Sequence, residues 1–421
     1  MLTTADGRPL KQALIAAGAL RRRRAFLLVA PLLVFILVTF VFPIGQLLKN
    51  SVKNEGFTVH TNVTTKARTP IMTELRAWFD ANPIGTEPDE AAFTALRDGI
   101  AGLDKLKAAG SAGTRINYIR SGSRSMFTKA GRKWDKMEPP YKEAFLKLDE
   151  DWGDPELWAA MRSASHSYTA DFYLAALDRA RDVDGHVVRV DEKRQVYVKL
   201  FWRTLKLSIL ITFLTFVLAY PVSHLLATLP LRYSNLLMIF VLLPFWTSLL
   251  VRTTSWMVLL QSEGVVNDLL VAAGIVGDEN RLQMMYNQIG TVVAMTHILL
   301  PFMILPLYSV MRPINPSYVR AARSLGATSW TAFRRVYFPQ TVPGIGAGAL
   351  LVFILAVGYY ITPALVGGAD GQLISNLIAF HMQKSLNWSL AAALASILLG
   401  GVLVLYWLYD RLIGIDNLKL G

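Results

Sequence analysis

Residues 311–344, MRPINPSYVRAARSLGATSWTAFRRVYFPQTVPG, form the one long polar-edged loop between two apolar segments in the C-terminal half, and they orient the rest of the chain. Asn315 is placed to cap a helix, with Pro316 at its first position and Tyr318, Ala321, Ala322 and Leu325 at helical spacing on one face. Gly326 supplies the residue able to take positive φ at that helix's end. Thr328 or Ser329 then caps a second helix, whose Trp330, Phe333, Val336 and Tyr337 share a face and which Pro339 is expected to stop. Arg320, Arg323, Arg334 and Arg335 decorate the module, and no Asp, Glu or His lies between Met311 and Gly344, which excludes general acid–base chemistry there. A structured, basic, partly apolar and chemically inert loop reads as a docking surface for another protein.

Outward from this loop, 53% hydrophobic content over 421 residues places the chain in the membrane class. The absence of cysteine excludes disulfides and Cys-based metal or nucleophile sites. A net charge of +13 raises the question of nucleic acid, and its location answers it. Ser51 to Leu200 carries 23 Lys and Arg against 22 Asp and Glu, while the mostly apolar remainder carries 20 against 8. An excess lying beside apolar stretches is the pattern of membrane-helix flanks and implies no nucleic-acid partner.

The first apolar stretch, Ala25 to Leu48, is 24 residues without a charge, enough to cross a hydrocarbon core of ~30 Å. Arg21 to Arg24 before it superficially resemble an export signal, but a signal's apolar region is only ~7–15 residues and ends at a small-residue cleavage site. Five further spans are predicted at Leu207–Leu229, Leu236–Leu260, Ile289–Val310, Val342–Val366 and Leu386–Tyr409. Counting from an inside N-terminus puts the 311–344 loop and the C-terminus inside and the long segment after the first span outside. Charge agrees: the inner segments hold 14 Lys and Arg, whereas the short outer loops hold only Arg281 and Lys384. The expected organisation is a cytoplasmic N-terminus (1–24), a first span (25–48), an extracytoplasmic insert (49–200), a five-helix core (201–413) with its loop at 312–341, and a cytoplasmic tail (414–421).

The insert is near-neutral and punctuated by prolines, with helices expected at Asp89–Ala109, Tyr141–Leu148, Asp154–Ser163 and Thr169–Arg181. A turn at Asp182–Gly185 leads into a short strand or hairpin. Trp78, Phe79, Phe93, Trp134, Phe145, Trp152, Trp158, Phe172 and Tyr173 are enough to build a small core. Asp182, Asp184 and Gly185 lack the spacing of a calcium loop, and His166 and His186 have no ligand-spaced partners, so no metal site is assigned.

The order Ala321, Ala322, Gly326, Ala327, Phe333, Pro339 resembles the cytoplasmic coupling loop of permease subunits in bacterial ABC importers. The pattern there is E-A-A, three residues, G, then a hydrophobic residue and P; the family's Glu is Arg320 here. Leu243 to Leu260 followed by Gly264-Val-Val-Asn267, Tyr360-Ile-Thr-Pro-Ala-Leu-Val-Gly-Gly, and Asn387-Trp388 resemble the polyamine (spermidine/putrescine) type of that family. The likeness covers residues 203–413, and the family's segment between the first two spans is normally much shorter, so it does not explain the insert.

The resemblance implies an all-α membrane protein of the bacterial inner membrane, with six transmembrane helices in the type I ABC importer permease fold and both termini cytoplasmic. It further implies coupling to a partner ATPase dimer through Arg320, Ala321, Ala322, Leu325, Gly326, Ala327, Phe333 and Pro339. A second, related permease and an extracytoplasmic solute-binding protein are the other implied partners besides the bilayer. No phosphate-cradling G-x-x-x-x-G-K-[ST] occurs, so ATP and Mg belong to the partner, and the chain is expected to be neither an enzyme nor a cofactor carrier.

For the translocation path the candidates are Trp246, Arg252, Glu263, Asp268, Tyr359 and Tyr360. A charge within a span costs ~2.5–3.5 kcal/mol on insertion scales, which makes Arg252 either functional or a snorkelling residue. The aromatics offer cation–π faces to an extended cation, or simply packing. The spans carry no Asp or Glu, with Glu263 and Asp268 only near the outer mouth, so opines, amino-acid derivatives and oxyanions stand beside polyamines as solutes. A membrane-anchored ligand sensor and an ion-gradient carrier are the rival classes, and neither accounts for the loop.

Overall fold

The computed structural model describes residues 23, 25–62, 65, 67–106 and 108–413; the predicted tail 414–421 and all but Arg23 of the N-terminal segment lie outside the described residues. The architecture is a helical bundle carrying a separate helical insert. Long apolar helices are α1 (Ala25–Val52), α9 (Tyr197–Thr228), α13 (Gln288–Met311), α15 (Ser329–Gly358) and α18 (Trp388–Arg411). Helix α13 is the most deeply buried of them, 61% of its apolar window against 39% or less in the others, and it packs on α9 and α15.

Two of the predicted spans are broken. The third consists of α10 (Leu231–Trp246) and α11 (Leu249–Leu259), which meet at 98°, and the short α12 (Val265–Ala272) follows. Pro244 removes an amide from the helix, and the Ser248 hydroxyl accepts from Val251 N–H to start α11 in its new direction. The fifth ends at Gly358 and resumes as α16 (Ile361–Val366) after Tyr359 and Tyr360. The carbonyls freed there are taken by the next element, α17 (Ile374–Gln383): Ser375 Oγ donates to Tyr359 O at 2.5 Å and Asn376 Nδ2 to Tyr360 O at 2.6 Å.

A glycine sets a close contact between α13 and α15. A Cβ at Gly344 would lie 3.1 Å from Pro306 O and 3.3 Å from Leu307 Cα of α13, so α15 approaches backbone to backbone there. Gly344→Val is expected to cost about 1–3 kcal/mol through overpacking, read as a lowered melting temperature in nanodiscs. Gly400→Ala, with nothing within 4 Å of the added Cβ, should melt like wild type.

The insert folds around an aromatic core in which Phe93, Phe127, Phe145 and Trp152 are fully buried. Its helices are α2 (Thr73–Ala81), α3 (Glu90–Lys105), α4 (Ala109–Asn117), α5 (Ser123–Gly131), α6 (Tyr141–Leu148), α7 (Pro155–Ser165) and α8 (Asp171–Ala176). Two hairpins, β1 (Val59–Thr61) with β2 (Arg68–Pro70) and β3 (Arg179–Arg181) with β4 (Val187–Arg189), complete it. The predicted helix over Thr169–Arg181 is therefore shorter, since its last residues enter β3. The turn between β3 and β4 also draws the ligand atoms of Asp182, Asp184 and His186 to within 4.8 Å of one another, a proximity linear spacing did not anticipate; all three remain partly or fully exposed. Phe172 and Tyr173 leave the insert's core altogether. They pack with Leu200, Ile374, Leu390 and Leu394, joining the insert to the bundle.

Candidate functional site: the coupling loop and the broken spans

Helix α14 (Pro316–Ser324) begins as the sequence predicts, with the Asn315 side chain accepting from Ser317 N–H at 2.9 Å. It ends in a paired-bond reversal: Ala327 N–H reaches Ala322 O and Gly326 N–H reaches Arg323 O, both at 3.0 Å, with Gly326 at φ +87°. The two alanines and the glycine of the motif are thus the residues that build the bend. Arg323 Nη2 donates to Ser329 Oγ at 2.8 Å across it, and Thr328 caps α15 by accepting from Thr331 N–H.

Pro339 does not stop the second helix, contrary to expectation. Helix α15 runs on into the membrane through a π-turn at Phe333–Tyr337, whose wider i to i+5 bonding accommodates the proline's missing amide and ring. Around the bend the apolar residues are left open: Leu325 is 89% exposed, Trp330 68% and Tyr318 53%. Arg320 is exposed and makes no ion pair among the described residues.

From this open face a line of aromatics leads inward. Trp330 stacks on Phe333 at 5.7 Å, and Phe333 on the buried Tyr337 at 5.9 Å. Phe333 also meets Tyr220 of α9 edge-on, and Tyr337 OH lies 3.0 Å from His224 Nδ1 on the same helix. Arg312 donates to Ala227 O and Leu229 O at 2.7 and 2.9 Å, closing the C-terminal end of α9. Sequence reasoning missed Arg312, Tyr220 and His224. Their signal was polar groups inside or just beyond apolar spans, which need partners there.

The other end of α9 belongs to the insert. Asp178, buried and at φ +54°, accepts from Val196, Tyr197 and Val198 N–H at 3.0, 3.0 and 2.8 Å, satisfying the start of the helix. Since α9 has 32 residues, the insert and the loop are separated by ~48 Å of helix at ~1.5 Å per residue. Nearby, Tyr197 OH meets His381 Nε2 at 3.1 Å, His381 Nδ1 meets Ser385 Oγ at 2.8 Å, and Tyr118 OH of the insert donates to Ser385 O at 2.8 Å.

Burial holds the His381 imidazole below its ordinary value, so the folded junction binds a proton less readily than the unfolded chain does. Its contribution to stability is complete above the ordinary histidine value of ~6.5 and declines as pH falls from there toward the lowered folded value. The protection of amides around Ser385, taken relative to their intrinsic exchange rates, should therefore fall as pH drops below about 6.5, and His381→Gln should flatten that response.

Among the path candidates, the structure brings Arg252 and Tyr359 into electrostatic range of each other, with His297 of α13 beside them. Arg252 Nε is buried and has no hydrogen-bond partner among the described residues. Trp256 Nε1 donates to His297 Nδ1 at 3.0 Å, and Thr253 and Thr362 hydroxyls meet at 3.1 Å, stitching α11 to α13 and α16 where the spans break. Tyr360 borders this region at 39% exposure. Trp246 stands apart, 78% exposed, and Glu263 is exposed. Asp268 is paired with Arg281 at 2.8 Å, and Arg281 also holds Asp278. Asn267 is buried and structural, bonded to Gln261 and Leu282 backbone.

Residues 207–413 match the family described as binding-protein-dependent transport system inner membrane component. The spermidine/putrescine transport system permease protein PotB of Escherichia coli K12 is 33% identical over 221 residues, covering 52% of this chain and 80% of that protein. The Haemophilus influenzae PotB is also 33% identical, covering 52% and 77%. The inner membrane ABC transporter permease protein YdcU of E. coli K12 is 32% identical, covering 45% and 64%. A solved bacterial alginate ABC transporter in complex with its pentasaccharide-bound periplasmic protein aligns over 56% of this chain and 85% of its own at a TM-score of 0.46 and 20% identity. The matched segment begins at residue 207 and leaves the insert outside it. With two thirds and more of the PotB relatives covered at 33% identity, the chain belongs to the binding-protein-dependent transport system inner membrane components, the permease subunits of ABC importers.

Proposed function

We propose that this permease passes a polyamine inward, powered by a separate ATPase dimer that docks on residues 316–339. The observation that carries this reading is the open apolar bend of Leu325 and Trp330, joined by stacked aromatics to the far end of α9. Closure of the ATPase dimer on ATP and Mg displaces this bend, and the rigid α9, α13 and α15 carry the displacement to the broken spans. Arg320, Ala321, Ala322, Leu325, Gly326, Ala327, Phe333 and Pro339 form the coupling surface, with both termini and the loop cytoplasmic.

The insert, clamped to the other end of α9, lies on the outer side, where it receives an extracytoplasmic binding protein. A second, related permease completes the path. The PotB relatives supply the choice of solute. Tyr359 and Tyr360 at the fifth-span break offer aromatic faces to an extended cation, while Arg252 requires that carboxylates come from the second permease. Uptake of labelled spermidine and putrescine into proteoliposomes holding the full complex and ATP tests this. Uptake of sulfate or an opine, with polyamines ignored, would overturn the choice of solute and leave the coupling intact.

A further inference from the structure

Strands β3 and β4 place Arg179 directly opposite Arg189. The flanking backbone bonds, Val190 N–H to Asp178 O and Asp182 N–H to His186 O, make this a non-hydrogen-bonded pair, the closer of the two kinds in an antiparallel ladder. Like charges facing each other there destabilise a hairpin. On the same face Arg181 is neutralised by Asp171 at 2.9 Å, yet neither Arg179 nor Arg189 has a carboxylate partner among the described residues.

The exposed Arg179 and Arg189 line a crevice of ≈ 330 Å³ between the hairpin and the start of α9, together with Leu177, Asp178, Gln195 and Val198. The carboxylate at the crevice, that of Asp178, accepts from three α9 amides and makes no ion pair with either arginine among the described residues. Gln195 is likewise turned away, donating to Val190 O at 2.6 Å. What remains is two forked cations with no carboxylate partner among the described residues, at the end of a membrane helix. Four residues on from Val198, Trp202 is 59% exposed, an aromatic of the kind that sits at the headgroup level of a bilayer.

We propose that Arg179 and Arg189 form a receptor for a phosphate-type oxyanion, in which paired guanidinium forks bind the oxygens bidentately and relieve the repulsion between the strands. The same chemistry is offered by the headgroup of an anionic phospholipid and by free phosphate. This inference stands on the hairpin and does not depend on which solute is carried.

The test uses the full chain, purified and delipidated, and compares wild type with Arg179→Gln/Arg189→Gln. Phosphatidylglycerol is titrated in one arm and inorganic phosphate in the other, with adducts counted by native mass spectrometry and melting temperature followed in parallel. Wild type is expected to bind at least one of the two about tenfold more tightly than the double variant and to melt higher when it is bound. Without either anion the double variant should melt at or above wild type, since it lacks the repulsive pair; this also confirms that it folds. Binding of phosphatidylglycerol alone identifies a lipid headgroup, and binding of both identifies a general phosphate site. Equal titrations of wild type and variant in both arms would overturn the proposal.

Discussion

Leu325→Glu is expected to uncouple the permease from its ATPase while leaving the chain itself as stable as wild type. At 89% exposure Leu325 contributes almost nothing to the bundle, so its replacement has no folding cost to hide behind. It stands at the C-terminal end of α14, beside the Gly326 reversal and ahead of the exposed Trp330, the arrangement of an apolar anchor at a protein interface. Anchors buried in such interfaces are worth ~2 kcal/mol or more, which is ~30-fold in affinity, and a buried unpaired carboxylate adds its own penalty. Co-purification of the ATPase should therefore fall by at least about 30-fold, with an unchanged melting temperature for the isolated chain. Trp330→Ala should act in the same direction, and an unaltered ATPase yield in both variants would place the docking surface elsewhere.

Asp178→Ala is expected to have the largest effect on the opposite end. One carboxylate satisfies three successive amides at the start of a 32-residue helix, and bonds to a charged group contribute ~1.5–3 kcal/mol each, though not additively. Its loss leaves those amides without acceptors and frees Asp178's left-handed backbone conformation, φ +54°, from the side chain that holds it. A local cost of about 3 kcal/mol predicts a fall in amide-exchange protection at Val196 to Val198 of about two orders of magnitude. Asp178→Asn, which keeps an acceptor oxygen but not the charge, should fall between. In the assembled transporter the same substitution should loosen the insert and weaken stimulation by the binding protein without releasing the ATPase. Unchanged protection in Asp178→Ala would mean that the insert and α9 are held together by the Phe172 and Leu390 seam alone.

The sequence was most informative where residue types are forced by backbone geometry. Asn315, Pro316, Gly326 and the choice of Thr328 or Ser329 were readable as caps and a bend because few residues can serve there, and the folded loop uses the first three with Thr328 as the second cap. Long uncharged runs were readable as spans for the same reason, since bilayer thickness fixes their length. The breaks were harder. Hydropathy does not register a 98° turn, and Pro244 alone does not distinguish a kink from a break; Ser248 as a new cap decides it. Pro339 was misleading in the other direction, because a π-turn absorbs it at a position where propensity predicts an end.

In the insert, α2, α4 and α5 were not among the expected helices, and the glycines of α4 and α5 lower helix propensity. A Cβ at Gly113 would stand 2.7 Å from Phe127 Cβ, so that glycine instead permits close helix packing. Phe172 and Tyr173 were counted into the insert's core because their aromatic character was visible and most of their partners, such as Ile374 and Leu390 far along the chain, were not. Asp178 is the clearest case of a functional position without a local signal. It follows an apolar helix like any solvated turn residue, and only the return of the chain at Val196 gives its carboxylate a purpose.

Gly326→Pro tests the central claim most directly. The bend requires φ +87° and an amide donated to Arg323 O, and proline offers neither, since its φ is fixed near about −65° and it has no N–H. The measurement is ATP hydrolysis by the chain assembled in nanodiscs with its ATPase, second permease and binding protein, with and without polyamine. Stimulation in wild type that collapses to the basal rate in an assembled Gly326→Pro complex is the predicted result. An isolated chain that moves solute down an ion gradient without ATP, indifferent to the substitution, would contradict the account.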